Sequence, residues 1–277
     1  MPPQGLGPDA YRYWLAGHGV PMSRPFHLRW LLPKLLGDDV AAWRIVWLLS
    51  WPVMAVGMFG WRTAAGDGWQ VAAAATELLL ALPGILGPVV SIPVQVDMPS
   101  TALMLVGIWF IELGHPAQIV AGVAVVAVAA SIRETAPIWA ALTLWSLWPL
   151  IALVAVAAAA WFIRPVREDP LGGEFQEIAD HPVLTALKYH RGRWRDGWLM
   201  VAPWGVCLAA LYQPDWRVMV VVVVAYMQLL VATDTVRLLH HAAGPAVAAA
   251  AAGVIPVEWL LLAVAVHVVW FRAPERI

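Results

Sequence analysis

Residues 94–163 read VQVDMPSTALMLVGIWFIELGHPAQIVAGVAVVAVAASIRETAPIWAALTLWSLWPLIALVAVAAAAWFI, and they decide the fold reading. Two charged sites interrupt this apolar chain: Asp97, and the adjacent pair Arg133-Glu134. Gly114, His115 and Pro116 divide the stretch between them into a hairpin of two helices. A chain that crosses a bilayer and returns brings both charged sites to one face.

Outside this stretch the composition points the same way. Of 277 residues, 61% are apolar and 13% charged, against about 25% charged in an ordinary soluble domain. Leu78–Val96, Leu113–Ile132 and Thr135–Ile163 are free of charge, and each approaches or exceeds the ~20 residues a helix needs to cross hydrocarbon. None alternates apolar with polar residues as a barrel strand does. The expected fold is therefore all-α: a polytopic helical integral membrane protein of about eight transmembrane helices, with seven to nine as the range. Four segments are expected: a surface lead-in at 1–39, a first membrane bundle of about five spans at 40–163, a polar loop at 164–196, and a second bundle of two to four spans at 197–277. The eighteen tryptophans fit headgroup depth, notably Trp43, Trp61, Trp69, Trp139, Trp161 and Trp216.

The lead-in contains DAYRYWLAG, with Asp9 placed to cap a short helix, and GVPMSRPFHLRWLLPKLLGDD, divided by Pro21, Pro25 and Pro33. Its mixture of apolar and basic residues suits a membrane surface. Basic residues in the 164–196 loop argue that this loop is cytoplasmic, while Arg12, Arg24, Arg29 and Lys34 make the lead-in resist the outward placement that five intervening spans require. The single cysteine, Cys207, excludes an intrachain disulfide. A net charge of -1, without a basic tail, argues against nucleic acid. No Walker motif and no HExxH or CxxC spacing occurs.

Each polar candidate has a plain reading beside a functional one. Asp97 caps the helix it precedes, or acts as a base or ligand there. Arg133 and Glu134 pair within their own turn, or Arg133 takes a phosphate and Glu134 a substrate or partner; an arginine fork suits diphosphate. Arg24, His27 and Arg29 meet lipid headgroups, or hold a phosphate. Asp234 and Arg237 form an ordinary i, i+3 helix pair, or join the site. Glu77 is a candidate for an internal polar network.

The order of DAYRYWLAG with RPFHLRWLLPKLLG, VDMPSTALMLVG, ASIRETAPIWAAL, WLMVAPWGVCLAAL and TDTVRLLHHAAGP resembles that of bacterial polytopic glycosyltransferases of the GT-C type. The chain looks like a shortened relative that lacks their usual first transmembrane helix. The resemblance implies sugar transfer from a polyprenyl-phosphate donor at the outer face of a multi-pass plasma-membrane protein. Asp9, Asp97 and Glu134 would then be catalytic, and Arg24, His27, Arg29, Arg133, Asp234 and Arg237 substrate-binding. Asp9 or Asp97 would take the acceptor proton and would help to hold a divalent metal ion where one takes part. Membrane lipids and a membrane protein are the expected partners. The alternatives are a non-catalytic membrane subunit or scaffold, whose small residues allow close helix packing, and a small transporter.

Overall fold

The computed structural model describes residues 8–22, 26–86, 95–163, 181–195, 201–230 and 236–270. Among them every regular element is helical. The chain opens with α1 (Pro8–Gly17), a 3-10 turn (Phe26–Leu28), α2 (Leu31–Leu36) and α3 (Val40–Ala64), followed by α4 (Trp69–Leu80) and α5 (Pro83–Leu86). Next come α6 (Asp97–Glu112), α7 (Pro116–Ile132), α8 (Ala136–Leu144), a 3-10 segment (Trp148–Ala152) and α9 (Leu153–Phe162). The later part holds α10 (Pro182–Arg195), a 3-10 segment (Ala202–Leu211), α11 (Trp216–Met227), a 3-10 turn (Gln228–Leu230), α12 (Val236–Val254) and α13 (Val257–Trp270).

Two helices organise the core. Helix α6 packs along both α3 and α7, and it buries residues on all sides, including Met98, Met104, Leu105 and Ile108. Small residues allow the close approach. A Cβ on Gly122 of α7 would stand 2.6 Å from the Gly107 carbonyl oxygen of α6, so the two backbones touch there. Helix α12 is the second centre. Its alanine-rich length packs on α4, α5, α11 and the 202–211 segment. A smaller core joins Ala10, Tyr13, Leu32, Trp43, Val96 and Ile132, and fastens the lead-in to the helices behind it. The lead-in thus buries side chains against protein rather than lying apart as a surface strip.

The eight-span expectation is overturned. Among the described residues one helix, α3, is long and apolar enough to cross a membrane. The other long apolar runs are either broken or too short; Pro116–Ile132, for example, is one helix of 17 residues. The run expected from Trp69 to Ile92 leaves its first helix at Leu80 and restarts at Pro83. The run through Pro137–Phe162 breaks at Trp145, which takes the left-handed conformation (φ 52°), and passes through 3-10 geometry before α9. The segment around Gly205 is kinked by that residue's φ of 48°. At 1.5 Å per residue, the 16 residues of α6 reach about 24 Å, short of a ~30 Å hydrocarbon layer. The multi-pass localisation falls with the span count. Two smaller expectations change as well: Trp43, Trp61 and Trp139 are buried in the bundle, and Glu77 points outward.

Candidate buried charge cluster

Helix ends carry the polar groups inward. Asp97 is the first residue of α6, yet its side chain caps nothing; Val96 holds the cap position. The buried Asp97 carboxylate instead forms ion pairs with two arginines. Arg133, at the C-terminal end of α7, pairs with Oδ1 through its Nη1, and Arg237, in the first turn of α12, places Nε 3.2 Å from Oδ2. One aspartate therefore joins three helices.

Glu134 turns the other way from its neighbour. It accepts two hydrogen bonds from Arg29, from Nε to Oε2 at 2.9 Å and from the Nη2 to Oε1 at 2.9 Å. Arg29 donates a further bond from Nη1 to the Tyr13 hydroxyl at 2.8 Å. This bidentate fork is the strong form of a carboxylate–guanidinium pair. It ties the lead-in to the turn between α7 and α8. The self-paired Arg133-Glu134 turn does not form; the adjacent residues address different partners.

The electrostatics follow from burial. Burial alone would raise the Glu134 carboxyl, but Arg29 and Arg133 outweigh it and bring it down to about 2. Burial likewise disfavours the charged form of Arg29, and Glu134 and Tyr13 overcome that penalty, leaving it above its ordinary range. Arg133 is lowered to about 10, first by burial and then by the positive charges of Arg29 and Arg237. His241, one turn beyond Arg237 on α12, is held neutral by burial and by Arg133 and Arg237.

Because Glu134 titrates below its ordinary 4.5, its pairing with Arg29 contributes in full above that value and is lost as pH falls toward about 2. Urea unfolding followed from neutral pH into that acid range should show falling stability. Glu134→Gln should flatten the slope.

Beside the cluster lies a small pocket with room for about one water molecule. Its polar lining is Ser100, Thr101, Arg133, Thr135 and His241, and Met104, Trp139 and Leu238 form apolar wall. Ser100 donates to the Ala129 carbonyl at 3.1 Å, and Thr101 Oγ1 lies 2.8 Å from His241 Nδ1. His241 Nε2 and Thr135 Oγ1 are buried and have no hydrogen-bond partner among the described residues.

Of the residues flagged in the sequence, Asp97, Glu134, Arg29, Arg133 and Arg237 come together here. His27 is buried on the 3-10 turn of the lead-in. Asp9 belongs to α1, but its side chain lies outside the described set, as do Arg24 and Asp234 altogether. Sequence reading did not single out Tyr13, Thr101 or His241 for the site. Their signal was weak: His240-His241 lacks metal spacing, and a threonine in an apolar helix is ordinary. A divalent metal does not fit, since the Asp97 oxygens face arginines and no three metal-ligating side chains converge among the described residues.

The chain matches no protein-family model, no curated protein and no solved structure. The glycosyltransferase expectation is therefore corrected: no family match accompanies the resemblance, and the multi-span architecture it needs is replaced by a bundle with one helix of membrane-crossing length. The multi-span scaffold and transporter alternatives lose the same foundation.

Proposed function

We propose that the chain binds a small oxyanion, the phosphate or carboxylate group of a small molecule, at the Arg133 side of the buried charge cluster. One observation carries this reading. Thr135 and His241, each with a buried polar atom (Oγ1 and Nε2) that has no hydrogen-bond partner among the described residues, line one pocket together with Arg133. Within the cluster, three guanidiniums face two carboxylates among the described residues. Neutral His241 can also donate: in the tautomer in which Thr101 gives its hydroxyl proton to Nδ1, the ring proton sits on Nε2.

In this reading Arg133, Thr135 and His241 hold one ligand oxygen, while Asp97 positions Arg133 and Glu134 positions Arg29. The pocket is too small for a whole phosphate as it stands, so binding requires the helices that line it to move apart.

Calorimetry and thermal unfolding with inorganic phosphate and with acetate test the proposal. Saturable binding should raise stability by about 2.7 kcal/mol at a hundredfold excess over Kd. Thr135→Val, which leaves both ion pairs intact, should weaken affinity about tenfold. If neither anion produces heat or shifts the unfolding transition, the cluster is a structural tie. The complementary fit of Arg29 to Glu134 favours that second reading.

A further inference from the structure

Helix α3 presents a second feature, independent of the charge cluster. Its inner face carries Trp47, Met54, Gly57, Met58 and Trp61 into the core. Its outer face carries Ile45, Leu48, Leu49, Val53, Val56 and Phe59, between 37% and 59% exposed. A surface helix in water shows its polar residues on that side. Here no charge occurs from Ile45 to Trp61, a run of about 26 Å at 1.5 Å per residue. Arginine stands at each end: Arg44 is exposed, and Arg62 donates to Asp67 at 2.7 Å.

We infer that the outer face of α3 seats against the hydrocarbon of a lipid surface, with Arg44 at headgroup depth. A core helix of a globular protein passes the same hydropathy test by being covered, but the apolar window of α3 is only 28% buried. A protein partner leaves a bounded apolar patch with a polar rim. Large apolar side chains are exposed instead on several helices besides α3, among them α7 (Val120, Val128), α9 (Val154, Trp161, Phe162), α11 (Trp216, Val223) and α13 (Trp259, Leu261, Leu262). A fluid apolar phase covers such dispersed surfaces, while one docked chain does not. Contact through this helix face requires no further membrane crossing.

The full chain should float with phosphatidylcholine vesicles and also with vesicles containing phosphatidylglycerol. The variant Leu48→Glu/Val53→Glu, substituted at exposed positions and checked for helicity by circular dichroism, should partition about tenfold less or worse. A polarity-sensitive dye on Val56→Cys should be quenched by brominated acyl chains, which keeps the proposal testable if the double variant fails to fold. Wild-type protein that stays with the aqueous fraction would overturn the inference. So would binding confined to anionic vesicles without quenching, or a dimer that the double variant abolishes.

Discussion

Asp97→Ala is expected to be the most damaging single substitution, costing about 3–5 kcal/mol of folding stability. The carboxylate pairs ionically with Arg133 and with Arg237, both largely buried. Removing it leaves two guanidiniums close together without their shared counter-charge, and Arg29 adds to the repulsion felt by Arg133. Urea unfolding measures the loss. The origin of the loss can be separated from simple cavity formation by a double variant. Asp97→Ala/Arg133→Met removes a charge of each sign and should recover part of the stability, giving a coupling of about 1–3 kcal/mol. Equal instability of the single and double variants would show that the ion pair is not what holds the three helices together.

Gly122→Ala should be nearly as severe, at about 3 kcal/mol, although it adds one methyl group. That methyl would lie 2.6 Å from the Gly107 oxygen, 2.7 Å from Ile111 Cγ1 and 3.0 Å from the Ile111 nitrogen. Two of the three obstacles are backbone, which cannot rotate away as a side chain does, so α6 and α7 must separate. Gly253→Ala is the control. It sits in α12 with nothing within 4 Å of the added carbon and should be neutral or stabilising by up to ~1 kcal/mol. Measured together, the two changes distinguish a packing constraint from a general intolerance of alanine.

The helical hairpin was legible because local rules govern it. Pro116 opens α7, Gly114 takes a φ of 76° that favours glycine, and α6 ends beside it. The polar candidates were legible for a similar reason: Asp97 and Arg133-Glu134 stand out within apolar sequence. Their partners were not legible. Arg29 and Glu134 are 105 positions apart, and Thr101 and His241 are 140 apart. No periodicity within one segment encodes such pairings.

By itself the sequence determined that the chain is helical, where the best-bounded helices begin, and which charged residues had to be neutralised inside apolar surroundings. The tertiary structure alone decided that Asp97 answers to Arg133 and Arg237, that Glu134 answers to Arg29, and that most apolar runs form helices too broken or too short to cross a bilayer. The physical reason is that hydropathy records how strongly a segment avoids water, not whether it meets lipid or another helix. The breaks at Trp145 and Gly205 are backbone conformations that no hydropathy pattern records.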